Sequence, residues 1–207
     1  MSQITSGIRK ILSLPSVYNT LISSLGSKKL LDIYVPQYLK PIEGDRILDI
    51  GCGTSEIIDS LPPYSEYHGY DLSPEYISAA EKKYAGRGTW HCSSVMEMES
   101  DNFGTFDIVM ANGLFHHLDD SEADQLAAIA SLSLKPGGRF CSLDNCYVYA
   151  QNPIARFLIS RDRGQNVREP EGYEALISPH FDSVELFIRH DLLRVPYTHA
   201  IVVATKA

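Results

Sequence analysis

Two glycines one residue apart, Gly51 and Gly53, interrupt an apolar run in the stretch ILDIGCGTSE, Ile47 to Glu56. Glycine lets the backbone turn tightly and lets a ligand come close to it. Phosphates, dinucleotides and adenosyl-sulfonium compounds are all held by turns of this kind after a strand. Two carboxylates flank the turn in sequence. Asp49 lies just before it, and Asp71 lies 20 residues beyond Gly51, where a carboxylate could accept both hydroxyl hydrogen bonds of a ribose. A third chemical feature is the pair His116-His117. Imidazoles titrate near neutral pH, so either could take a proton from an acceptor hydroxyl or amine.

The candidate ligands separate on neighbouring residues. A phosphate-binding loop of the G-x-x-x-x-G-K-[ST] type needs a lysine that does not follow these glycines. A dinucleotide turn wants a third glycine at position 56, where Glu56 would repel a pyrophosphate. That weakens the dinucleotide reading and leaves it open, since Asp71 would serve either ribose. S-adenosylmethionine carries no phosphate. Its ammonium suits Asp49, its amino-acid end suits the glycines, and its ribose suits Asp71. Cys52, between the glycines, reads as a small packed residue rather than a nucleophile, since nothing nearby is placed to lower its pKa.

These residues need a scaffold, and the pattern supplies one. Arg46 to Ile50, Tyr67 to Asp71, Thr89 to Cys92, Phe106 to Ala111 and Arg139 to Leu143 read as strands. Between them lie a short helix over Ser55 to Leu61 and a helix opened by Ser73-Pro74. A third follows Ser121-Glu122-Ala123-Asp124, read as a capping box. A helix near Glu171 to Ser178 and two last strands, Ser183 to Arg189 and Ala200 to Thr205, complete the set. Strands alternating with helices predict an α/β fold with a doubly wound, mostly parallel sheet covered on both faces. Ligands in such sheets sit beyond the carboxyl ends of the strands. Residues 1–45 are expected to form a helical N-terminal cap, broken at Pro15, Gly26 and Pro36, ahead of a single domain over 46–207.

The stretches RILDIGCGTSEII, YHGYDLSPEYISAAEKKY, FDIVMANGLFHHLDD and LKPGGRF, in this order, resemble the class I S-adenosylmethionine-dependent methyltransferase family. The resemblance covers roughly Asp45 to Asp144. It implies a Rossmann-like, seven-stranded, mostly parallel sheet with an antiparallel C-terminal hairpin, and methyl transfer from S-adenosyl-L-methionine with S-adenosyl-L-homocysteine as product. It implies a cofactor-binding set of Asp49, Gly51, Cys52 and Gly53 for the methionine side, Asp71 for the ribose, and Leu72, Ser94 and Val95 around the adenine. Asn112 and Gly113 would lie beside the sulfonium. Two positions depart from the family: Ser55 stands where a third glycine is frequent, and Ser94 where an acid often meets the adenine amino group. His116 and His117 are the catalytic candidates.

The region of about 145–169, after the fifth strand, is expected to be an acceptor-side insertion. Arg156, Arg161, Arg163 and Arg168 crowd it, and an arginine fork there could grip a carboxylate or phosphate of a small acceptor. Tyr18, Tyr34, Asp144, Tyr147, Arg161, Arg163 and Tyr197 are the acceptor-side candidates. A formal net charge of −8 argues against nucleic acid or an anionic membrane as partner. The four cysteines show no metal spacing, so no metal site is expected. No long apolar run suggests a leader or a membrane span, and the reading is a cytoplasmic protein. Oligomeric state leaves no mark in the sequence. The expected activity is methyl transfer to a small molecule at oxygen, nitrogen or carbon. A non-catalytic binding module, a nucleic-acid methyltransferase and an NAD-dependent dehydrogenase are the alternatives.

Overall fold

A computed structural model describes residues 26–207, and Tyr18 therefore lies outside the described residues. Seven strands form one sheet: β1 (Arg46–Ile50), β2 (Glu66–Asp71), β3 (Thr89–Cys92), β4 (Phe106–Asn112), β5 (Leu134–Asn145), β6 (Ser183–Arg189) and β7 (His199–Thr205). Their order is β3-β2-β1-β4-β5-β7-β6. The first five run parallel, while β7 is antiparallel to both β5 and β6. The chain leaves β1 towards β2 on one side and returns to β4 on the other. The strand order reverses between β1 and β4, which opens a crevice at their carboxyl ends.

Among the described residues, five α-helices accompany the sheet: α1 (Ser27–Tyr34), α2 (Pro74–Lys83), α3 (Asp120–Ser133), α4 (Pro153–Ser160) and α5 (Pro170–Ile177). Alternation along the strands sends side chains to two cores. Leu48, Val109 and Phe140 pack with Leu126 and Ala130 of α3 and Tyr173 of α5. Ile47, Ile108 and Met110 pack on the other face with Tyr34, Ile58, Ile77 and Ile201. Both faces are buried, as parallel strands require.

The capping box of α3 lies two residues earlier than expected. Asp119 accepts a hydrogen bond from the Glu122 N–H at 2.9 Å, and Glu122 accepts from the Asp119 N–H at 3.2 Å. Leu118 is buried, which fixes where the chain enters the helix and selects Asp119 over Ser121 as cap. Pro36 also departs from expectation. Helix α1 does not stop there but widens into a π-helical turn over Val35–Leu39, closed by a 2.7 Å bond from the Lys40 N–H to the Val35 carbonyl. Proline has no N–H for the ordinary ladder and crowds the carbonyl four residues back, and the wider turn relieves both.

Candidate active site

The crevice between β1 and β4 holds a cavity of about 740 Å³, a size suited to a small molecule or cofactor. Its floor is the loop after β1. The N–H groups of Gly51 and Cys52 both reach the Tyr70 carbonyl, at 2.8 and 3.0 Å, and hold the loop over β2. Gly51 and Gly53 sit at φ 75° and 53°, and a Cβ on Gly51 would come within 3.1 Å of Leu114. Both face the cavity. Cys52 points the other way, onto Gly69 of β2, and burial pushes its thiol far above the usual range. It packs and does not attack.

Ser55, at φ 57°, occupies a backbone conformation usual for glycine. Buried bonds hold it there. Its hydroxyl oxygen accepts from the Trp90 indole at 2.8 Å and lies 3.1 Å from the Tyr67 hydroxyl. Tyr67 in turn donates to Asp49 Oδ2 at 2.6 Å. Asp49 is therefore turned into the protein beneath the loop and does not line the cavity. Burial raises its carboxyl to about 7; the Tyr67 bond opposes the rise and the Asp71 charge adds to it.

Asp71 ends β2 and faces the cavity. Its Oδ2 accepts from the Gly53 N–H at 2.9 Å and its Oδ1 from the Ser73 N–H at 2.8 Å. Each oxygen keeps a lone pair for a ligand, and the two backbone bonds fix the carboxylate plane. Leu72, Ser94 and Val95 continue the wall, as do Asn112 and Gly113 at the end of β4. Ser94 Oγ accepts from the Met96 N–H at 3.2 Å. Asn112 Oδ1 accepts from the Tyr34 hydroxyl at 2.8 Å, so its free offering to a ligand is an amide N–H.

The far side of the cavity is lined by His117, Glu122, Gln125 and Arg163. The two histidines differ sharply. His116 is clamped by two carboxylates, with Nδ1 2.7 Å from Asp144 Oδ1 and Nε2 3.2 Å from Asp162 Oδ1. Burial alone would lower its pKa, but these bonds overcome that and raise it to about 9. Burial and the adjacent His116 charge lower His117 to about 4. At neutral pH His116 is a held cation and His117 a neutral imidazole. Only His117 could accept a proton.

Residues 48–140 match the methyltransferase domain family. Over 110 residues the chain is 33% identical to the ubiquinone biosynthesis O-methyltransferase of Xanthomonas axonopodis pv. citri, covering 51% of this chain and 45% of that protein. Over 119 residues it is 33% identical to the aklanonic acid methyltransferase DauC of Streptomyces sp. strain C5, covering 54% of this chain and 51% of that one. Both the domain match and these relatives liken the central part of the chain to S-adenosylmethionine-dependent methyltransferases. It spans about half the length of the curated relatives it matches.

The methyltransferase fold extends over nearly the whole chain. An N-methyltransferase of Haemonchus contortus, solved with phosphomonomethylethanolamine and S-adenosylhomocysteine, superposes with a TM-score of 0.72 at 17% identity, covering 96% of this chain and 59% of that one. The [4+2]-cyclase SpnF superposes with a TM-score of 0.68 at 16% identity, covering 86% of this chain and 80% of that one. At such identities the likeness is one of fold.

Several acceptor-side expectations are redrawn by the structure. Tyr34 is buried and braces Asn112 from behind. Asp144 is buried against His116. Arg161 lies exposed over the Phe157 ring, and Tyr147 lies under the Arg156 guanidinium. Tyr197 borders a separate cavity of about 320 Å³ and takes the Asn145 amide at 3.1 Å. Of the acceptor candidates among the described residues, Arg163 alone reaches the β1–β4 cavity. Tyr76, Glu122 and Gln125 reach it unforeseen. Tyr76 could have been found, since it lies in the first turn of the helix that follows Asp71. Glu122 and Gln125 depend on how α3 is set over the sheet, which no local pattern encodes.

Proposed function

We propose that the protein binds S-adenosylmethionine in the β1–β4 cavity and transfers its methyl group to a small-molecule acceptor. The observation that carries this reading is Asp71, a carboxylate fixed at the cavity edge by the Gly53 and Ser73 amides with both oxygens able to accept again. The glycine loop fits the group as well: Gly51 and Gly53 line the cavity at positive φ, and a side chain at Gly51 would press on Leu114, which also lines it. Asp71 would hold the ribose, Leu72, Ser94 and Val95 the adenine, and Gly51, Gly53, Asn112 and Gly113 the methionine end.

When bound, the sulfonium supplies an already activated methyl group. What the chain contributes is alignment and a dry surrounding. Asn112, braced by Tyr34, and Gly113, whose N–H bonds the Leu143 carbonyl at 2.7 Å, set the floor beside the reacting centre. The acceptor enters past His117, Glu122, Gln125 and Arg163. Arg163 favours an acceptor with an anionic group. That the relatives are named for a ubiquinone-pathway O-methylation and for aklanonic acid supports an organic small molecule as acceptor. The test is S-adenosylhomocysteine formation on incubation with S-adenosylmethionine and a panel of phenolic, carboxylic and amine acceptors. Acceptor-dependent product supports the reading. Tight cofactor binding with no product across the panel points instead to a non-catalytic binding module.

A further inference from the structure

His116, His117 and Asp162 form a cluster that methyl transfer leaves unexplained. The turn after β4 brings the two histidines and the loop after α4 brings the aspartate. One nitrogen or oxygen from each of the three lies within 4.8 Å of the others. Both histidines are buried, and His117 Nδ1 has no hydrogen-bond partner.

The surroundings are built around His116. Asp144 Oδ1 accepts its backbone N–H at 3.2 Å and faces its Nδ1 at 2.7 Å, so the ring presents Nε2 to Asp162. The Gly164 N–H holds Asp162 Oδ1 at 2.9 Å, and the Asn166 N–H bonds the His116 carbonyl at 2.9 Å. The loop closes this far only because position 164 is glycine. A Cβ there would fall 2.1 Å from His116 Cδ2 and 2.6 Å from its carbonyl oxygen.

A proton shared by His116 and Asp162 explains that pair but leaves the His117 nitrogen with nothing. An ion explains all three. Zinc-type ions sit about 2.0–2.2 Å from nitrogen and carboxylate ligands, which puts adjacent ligands roughly 3.0–3.5 Å apart. His116 Nε2 and Asp162 Oδ1 already stand 3.2 Å apart. His117 offers a ring nitrogen within 4.8 Å of both. A buried carboxylate behind a ligating histidine, as Asp144 stands behind His116, is the usual outer support of such sites.

We propose that His116, His117 and Asp162 bind one divalent transition-metal ion of the zinc and cobalt class, with Asp144 orienting His116. Two imidazoles and a carboxylate suit that class and not magnesium or calcium, which take oxygen donors. Binding replaces the proton between His116 and Asp162, so one proton leaves for each ion bound and nothing is oxidised or reduced. Asp144 and Asp162 outweigh the nearby Arg163 charge, which keeps the pocket attractive to a cation. Three protein ligands leave a coordination position open. His117 lines the β1–β4 cavity, so that position faces the acceptor side and would take an acceptor oxygen. This role, unlike the binding itself, rests on the methyl-transfer reading.

The test uses the full chain, stripped with a chelator and titrated with Co²⁺ while visible absorption is recorded. A saturable band at one ion per chain, displaced by Zn²⁺ and without near-ultraviolet thiolate absorption from Cys92, is expected. Asp162→Asn and His117→Leu should each weaken Co²⁺ by more than the ~10–100-fold expected for Asp144→Asn, the outer-shell change. Near-ultraviolet circular dichroism identifies any variant that fails to fold. Should one fail, the wild-type band and its displacement decide. No saturable band, or equal affinity in folded variants, overturns the site. S-adenosylhomocysteine binding is measured in parallel. Cofactor binding without a cobalt band removes the metal site alone, and the reverse removes the cofactor reading alone.

Discussion

Ser55 concentrates the loop's backbone strain in one residue. At φ 57° a non-glycine residue costs about 1–2 kcal/mol, and the Trp90 and Tyr67 bonds offset that cost. Ser55→Ala keeps the strain and strands the Trp90 N–H, so it should destabilise by about 1–3 kcal/mol. Ser55→Gly loses the same bonds but sheds the strain, so urea unfolding should rank it above Ser55→Ala. The reverse order would mean that the bonds do not hold the loop. Asp49 yields a prediction about pH. Its carboxyl rises from an ordinary 3.8 to about 7, chiefly through burial. A raised folded value gives stability that is complete below about pH 4 and lost as pH rises through about 7. The urea midpoint of the ligand-free protein should therefore fall between about pH 4 and 7 relative to Asp49→Asn, which cannot ionise, and level off above that. A constant difference between the two proteins across that range would contradict the assignment. The 20-residue spacing from Gly51 marked Asp71, and the structure sets it at the end of β2 on the cavity wall. The inward turn of Asp49 was not legible, since it depends on Tyr67 arriving from the neighbouring strand.

Among the elements, β3 and β6 fall on the residues that alternation indicates, Thr89–Cys92 and Ser183–Arg189. β5 runs longer than expected, from Leu134, because Leu134 pairs with Phe106 across a bulge that absorbs Pro136 and Gly137. Proline and glycine read locally as a stop, and only the neighbouring strand shows that pairing continues beyond them. The start of α3 is a sharper test. Asp119→Ala removes the cap and should cost about 0.5–2 kcal/mol, whereas Ser121→Ala should change stability by only a few tenths. Equal losses in chemical denaturation would restore Ser121 as the cap. Helix α1 reaches the site through the bond from Tyr34 to Asn112. Tyr34→Phe should cost about 0.5–1.5 kcal/mol and lower methyl-transfer turnover by loosening Asn112. Unchanged turnover would reduce α1 to a packing element.

Across the whole molecule, the alternation of strands and helices indicated the parallel sheet, the family resemblance its antiparallel C-terminal hairpin, and the rule that ligands sit beyond the carboxyl ends of the strands pointed to the Gly51 loop. Among the described residues no helix is long and apolar enough to cross a membrane. The acceptor side was the least legible region. Arg163 meets His117, and Asp162 meets His116, only after β4, α4 and the loop beyond it have docked. No spacing rule links residues brought together by three separate elements. SpnF, named as a cyclase on the same fold, shows why the cavity's chemistry and not its architecture must decide the activity. The most direct measurement is isothermal titration of the wild-type chain and Asp71→Ala with S-adenosylhomocysteine. One-to-one binding by wild type, weakened by about 1.5–3 kcal/mol in the variant, is the predicted result. No binding at about 1 mM ligand, some −4.1 kcal/mol of affinity, or an unaltered Asp71→Ala isotherm, would contradict it.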